Sequence, residues 1–214
     1  MVIATIADII GSRRLADRGE AQAIIDRAIA ETEEQLPLAL EPIRPTVGDE
    51  LQGVYAGLDD ALASLLLVQL ALPDGVECRF GLGIGAVDGF DSASGRLQDG
   101  PGWWAARAAI DTVHAKQQRA APSARSWVVA SGDEDAGVHT AAALANSYLL
   151  ARDHLVGGMN ERARRLTLGR CLGRTQRELA EQEGITQPAV SQALAASGAA
   201  AVVEGFLVLR ADRP

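Results

Sequence analysis

Hydrophobic and polar positions divide this chain into segments of two kinds. Residues 2–10, VIATIADII, form an almost unbroken apolar run, which suits a strand buried on both faces. Residues 15–36 have a helical period and close at Pro37. Two short β-patterned runs, 43–47 and 51–56, meet at Gly48-Asp49, a hairpin signal. A strongly apolar helix over 59–72 ends at Pro73, and 77–87 alternates as a strand. Residues 88–100 are rich in Gly, Ser and Asp and read as a loop. Helix is expected over 102–116 and 134–155, with a short strand over Ser126–Ala130 between them. Gly157-Gly158 reads as a linker. Everything after it is helical in pattern: 159–172, two short helices, and 199–209.

Those two short helices carry the sharpest local signal. In TQRELAEQEGITQPAVSQALAAS, residues 175–197, Thr175 and Glu178 form a capping box. Leu179 and Ala180 face inward, Gly184 supplies a turn with no Cβ in the way, and Ile185 fills the angle. Thr186 caps the second helix, Pro188 fits its first turn, and Val190 and Leu194 form its inner stripe. Gln187, Ser191 and Gln192 lie on the outer face with Thr186 at the tip, short polar groups able to read base edges in a major groove. Arg174 and Arg177 stand at the start of the first helix, where they would meet phosphate. The unit resembles the phage-repressor helix-turn-helix. A plain pair of packed helices is the competing reading. Glu183, just before the turn, replaces the usual apolar residue, which predicts looser packing there or a side chain splayed to solvent.

Charge sharpens this picture. The net charge is −8, which argues against a protein that coats nucleic acid indiscriminately. From residue 157 onward, however, eight arginines face six carboxylates, whereas the preceding part holds twelve basic and twenty-two acidic residues. The division expected is an acidic sensor or dimerisation domain over 1–156 and a DNA-reading domain over 157–214. The single lysine, Lys116, and the abundant alanine reflect base composition of the genome. Cys78 and Cys171 form no zinc or disulfide pattern. No secretory leader follows Met1 and no apolar stretch reaches the ~20 residues of a membrane span, so a cytoplasmic location without a membrane partner is expected.

The first 156 residues hold their own candidate chemistry. Asp8 ends the first strand and is followed by Ile9, Gly11, Ser12 and Arg13. Asp49 sits at the hairpin tip. Two carboxylates at the ends of adjacent strands make a hard-oxygen site suited to Mg²⁺, and a backbone entering a helix offers N–H groups to phosphates. Helix capping explains Asp8, and turn chemistry explains Asp49, just as well when each is taken alone. Trp103 and Trp104 suit core or interface packing, or else the wall of a nucleobase pocket. His114, His139 and His154 have no metal-ligand spacing.

The order ADIIGS, VGDELQ, RFGLGIG, GPGWWAARA resembles class III nucleotidyl cyclase and GGDEF folds. With the helix-turn-helix attached, the chain is more closely similar to the SatD family. The resemblance implies an α+β fold, a ferredoxin-like, cyclase-type sheet with helices on one face, followed by a small all-helical helix-turn-helix domain. It also implies Asp8, Asp49 and the Ile9 carbonyl as ligands for Mg²⁺ or Mn²⁺, with Gly11, Ser12 and Arg13 at the phosphates. The catalytic half of the pattern departs from the cyclases. Trp104 stands in the place of the ribose-orienting Asn, Arg107 is one residue out of step with the transition-state Arg, and Pro45 replaces the adenine-reading Lys. Losing charge stabilisation of that kind argues against efficient cyclisation, so no catalytic residue is assigned. The expected function is a homodimeric DNA-binding transcriptional regulator whose first domain binds a nucleotide-like effector, with Mg²⁺, or merely dimerises. The alternatives are a metal-dependent enzyme acting on nucleoside triphosphates and a purely structural protein.

Overall fold

Strand β1 (Ile3–Ile9) is the run that the apolar pattern marks first, and in the computed structural model it lies at the centre of a five-stranded mixed sheet. The structure describes residues 2–11, 18–46, 50–92 and 95–211. Antiparallel to β1 on its two sides run β3 (Glu50–Tyr55) and β4 (Cys78–Ile84). β2 (Ala39–Pro45) adds to β3 with two register shifts, and the edge strand β7 (Ser126–Ala130) lies parallel to β4. The order is β2-β3-β1-β4-β7. Residues 88–100, read as a loop, instead form a separate hairpin, β5 (Asp88–Ser92) and β6 (Gly95–Asp99). Short strands built from Asp, Gly and Ser hide their pairing from a composition-based reading.

Helices cover both faces of the sheet, where one face was expected. Ile3, Ala7 and Ile9 point into a large core with Ile25 and Ile29 of α1 (Arg18–Gln35) and Leu62, Leu65 and Leu66 of α2 (Leu58–Ala71). Ala4 and Ile6 point the other way, into a smaller cluster with Val54 and with Trp103, Ala106 and Ile110 of α3 (Pro101–Gln117). The cause is β1 itself: a strand without alternation must bury both of its sides.

On the α3 side, β4 presents Arg79 and then Gly81, Gly83 and Gly85. A Cβ on Gly85 would stand 2.9 Å from the Gly102 nitrogen, and one on Gly83 would overlap the Gly102 carbonyl and the Ala106 nitrogen. The helix therefore rests on bare strand backbone.

The β7 edge is closed by α4 (Ala136–Gly157). Its Asp153, fully buried, accepts the Arg125 and Ser126 N–H groups at 2.7 and 2.8 Å and pairs with the equally buried Arg152. Arg152 also donates to the Ser126 hydroxyl at 2.7 Å. These bonds satisfy two ions that would otherwise be costly to bury.

Gly158 closes α4, and a short turn leads into α5 (Glu161–Cys171), α6 (Gln176–Glu183), α7 (Gln187–Ala196) and α8 (Ala199–Arg210). Leu166 of α5 and Val202 and Phe206 of α8 belong to the same core as Ile3 and α2. Arg210 reaches the buried Asp60 at 2.7 Å, and Arg164 reaches Asp74 at 2.6 Å, tying these helices to both ends of α2. Among the described residues no single helix is long and apolar enough to cross a membrane; α7 and α8 reach that length only together, across an 83° bend.

Candidate functional site

The candidate residues fall in two places. The first is the α6–α7 pair. Thr175 Oγ1 accepts the Glu178 N–H at 3.2 Å while the Glu178 carboxylate accepts the Thr175 N–H at 2.7 Å, so both halves of the capping box are present. Those bonds from the Thr175 backbone and side chain hold the Glu178 carboxyl below the usual range. Gly184 then turns the chain in the left-handed region, φ 64° and ψ 33°, a conformation that costs an L-residue strain. Thr186 accepts the Ala189 N–H at 3.4 Å and starts α7. Leu179, Ala180, Val190 and Leu194 are buried, with Ile185 packed against them.

The outer side of α7 consists of Gln187, Ser191 and Gln192, all exposed, with Thr186 exposed at its start. The two flanking arginines differ. Arg177 is 83% exposed and loosely paired with Glu181 at 3.2 Å. Arg174 is half-buried and donates to Gln182 and to Gln35 of α1 at 3.2 and 3.0 Å. Glu183 is neither loose nor splayed. Arg165 grips both of its oxygens at 2.7 Å, with Arg162 at 3.8 Å, which replaces the expected apolar contact by an ion pair between α5 and α6. The Arg165 hydrogen bonds hold the Glu183 carboxyl below its ordinary value.

The second place is the carboxylate end of β1. Asp8 faces Arg79 across the β1–β4 register and Glu50 across the β1–β3 register. Arg79 Nε and Nη2 donate to the two Asp8 oxygens at 2.9 Å each. From α3, His114 Nδ1 accepts from Arg79 Nη1 and Gln117 Oε1 accepts from it at 3.1 Å. Glu50 pairs with Arg107 of α3 and accepts from Gln52 at 3.0 Å. Sequence reading assigned no ligand or partner role here to Arg79, His114, Gln117, Glu50 or Arg107, although Glu50, Arg79 and Arg107 lie in the segments it singled out. One signal was available: Arg79 is a lone charge on a strand side otherwise made of glycines.

Ile9 is buried, and the Ile10 N–H bonds to the Glu77 carbonyl at 2.8 Å before Gly11 turns at φ 70°. Ser12, Arg13 and Asp49 lie outside the described residues. A hard divalent cation needs carboxylate lone pairs that are free to face it. The described residues do not fit Mg²⁺ or Mn²⁺ on that ground, since both oxygens of Asp8 are taken by a guanidinium. Among the described residues, no three His, Cys, Asp or Glu side chains gather as a metal cluster.

Trp103 is buried on the sheet side of α3, whereas Trp104 is 65% exposed with its indole N–H on Asp99 at 3.0 Å.

Several solved structures align with part of the chain. Adenylate cyclases from Trypanosoma brucei in their monomeric state align at a TM-score of 0.41 and 16% identity, covering 52% of this chain and 68% of theirs. The catalytic core of a rhodopsin-guanylyl cyclase with converted specificity, in complex with ATPαS, aligns at 0.40 and 17%, covering 52% and 71%. The guanylate cyclase domain of RhGC from Catenaria anguillulae, in complex with GTP, aligns at 0.40 and 15%, covering 52% and 72%. No curated protein matches the chain. The SatD family model, by contrast, runs from residue 2 to residue 204, through the sheet, the α6–α7 pair and into α8, and the chain belongs to the SatD family.

Proposed function

We propose that this SatD-family protein is a DNA-binding regulator in which α6 and α7 act as a helix-turn-helix and α7 is the reading helix. One observation carries the reading. Gln187, Ser191 and Gln192 are exposed together on a capped helix whose opposite side, Val190 and Leu194, is buried. Ten residues of α-helix span ~15 Å, and a major groove ~12 Å wide accepts such a helix end-on or along its floor. Glutamine suits the adenine N6/N7 edge. Arg177 is the flanking cation with freedom to meet phosphate. A homodimer belongs to the same reading, because one short helix reaches few base pairs and paired half-sites supply the rest. Residues 1–156 serve as the dimerising and effector-binding part and 157–214 as the DNA-reading part.

Selecting bound sequences from random DNA and titrating the winner tests this. Gln187→Ala and Gln192→Ala should lose ~1–3 kcal/mol at the preferred site and relax one base position each. Arg177→Ala should weaken all sequences alike and flatten the salt dependence. Equal weakening by all three variants, or no effect from any, rejects α7 as a base reader.

The alternative, a metal-dependent enzyme acting on nucleoside triphosphates, has in its favour the two carboxylates Asp8 and Glu50 brought side by side on adjacent strands. Against it stands Arg79. In the same preparation, labelled ATP or GTP with Mg²⁺ or Mn²⁺ separates the readings: turnover abolished by Asp49→Ala promotes the enzyme.

A further inference from the structure

We infer that Arg79 is the resident cation of Asp8: it fills the place in which a cyclase-like pattern puts a divalent ion, and while it is there Asp8 ligates no Mg²⁺ or Mn²⁺. The inference stands apart from DNA reading and uses no part of α6 or α7.

The geometry is a two-pronged fork. Nε and Nη2 meet the two Asp8 oxygens at equal distances of 2.9 Å, the planar match that makes guanidinium–carboxylate pairs strong and specific. A chelated cation would need those same oxygens. The fork is also fixed from behind, since Nη1 is held by His114 Nδ1 and by Gln117 Oε1, three residues apart on one face of α3. Gly81, next on the same side of β4, lets α3 approach closely enough for both to reach: a Cβ there would stand 2.6 Å from Ile110 Cγ1 and the Ile110 nitrogen.

Register removes any slack. Asp8 and Arg79 are directly opposed on neighbouring strands, so the pair forms without either side chain extending far. The Arg79 side chain is 9% exposed and that of Asp8 is 26% exposed. Swinging Arg79 away to admit a metal would strand a guanidinium with almost no water to receive it. The neighbouring acid is balanced as well, Glu50 by Arg107. Among the described residues, these two carboxylates are matched by two guanidiniums, so the two pairs add no net negative charge to concentrate a divalent cation.

Mn²⁺ binding measured on the full chain by electron paramagnetic resonance, with unfolding followed in parallel by circular dichroism, tests the assignment. The wild-type protein should show no saturable Mn²⁺ site up to millimolar concentration, and its melting should not respond to Mg²⁺ or Mn²⁺. Arg79→Gln should bind one Mn²⁺ at least ten-fold more tightly than the wild type, melt higher when Mn²⁺ is added, and lose both properties when Asp8→Asn is combined with it. A wild-type Mn²⁺ site that disappears in Asp8→Asn overturns the inference. So does a folded Arg79→Gln protein that gains no site. If Arg79→Gln does not fold, the comparison of wild type with Asp8→Asn decides alone: an Asp8-dependent site rejects the assignment and its absence upholds it.

Discussion

Asn146 of α4 makes both backbone hydrogen bonds of Val128. Its Nδ2 donates to the Val128 carbonyl at 2.8 Å, and its Oδ1 accepts the Val128 N–H at 2.8 Å. One buried side-chain amide thus stands in for the rung that a further strand would supply. Two residues earlier, Asp153 does the same for the Ser126 N–H, so β7 presents a finished edge.

Asn146→Leu should therefore destabilise the chain by about 2–4 kcal/mol, because two buried backbone groups lose their partners at once. Urea unfolding should show a lower midpoint with an unchanged slope. A loss within experimental error would mean that water replaces the amide and the edge is not sealed.

Two glycine substitutions should part company. Gly83→Ala places a methyl group inside the backbone of α3, which has no side chain there to move aside, so the protein should be recovered largely unfolded or not at all. At Gly184 nothing lies within 4 Å of a new Cβ, and only the left-handed φ of 64° is at stake. Gly184→Ala should cost about 1–2 kcal/mol, with Gly184→Asn recovering part of it. Comparing soluble yield and melting temperature of the three proteins is sufficient.

Acid should loosen α6 from α5. Because Arg165 lowers the Glu183 carboxyl in the folded chain, the Glu183–Arg165 contact contributes stability that is present above the ordinary glutamate pKa. It is lost as the pH falls through the lowered folded value. Glu183→Gln should remove this dependence, so its unfolding free energy should fall less steeply than that of the wild type on the acid side. Parallel acid limbs for the two proteins would reject the assignment.

Local chemistry was the legible part of this sequence. The capping box, the turn at Gly184 and the inner stripe of α7 are each decided within a few residues, and the chain alone announces them. β1 was legible for the same reason, though its unbroken apolar run also implied cover on both faces, which the one-faced expectation overlooked. The site at Asp8 was not. Asp8 and Arg79 are 71 positions apart, and only the register of β1 against β4 opposes them. Glu183 was misjudged similarly, since its partner Arg165 lies 18 residues upstream on another helix. Periodicity tells which side of an element is buried; it does not tell which ion on one element meets which on the next.

The glycine side of β4 has a mechanical consequence. Gly81, Gly83 and Gly85 span two strand repeats, ~13 Å, and α3 lies lengthwise along them: Gly102 over Gly85 and Gly83, Ala106 over Gly83 and Gly81, Ile110 over Gly81. They form a keyway in which α3 is seated along its length, stopped at one end by Arg79. A bar seated in such a slot has no cushion of side chains in which to roll or slip. Its two ends, Trp104 at the start and His114 with Gln117 near the finish, are therefore locked to a single position. A push on the exposed indole of Trp104 along the axis of α3 would bear on the grip on Arg79.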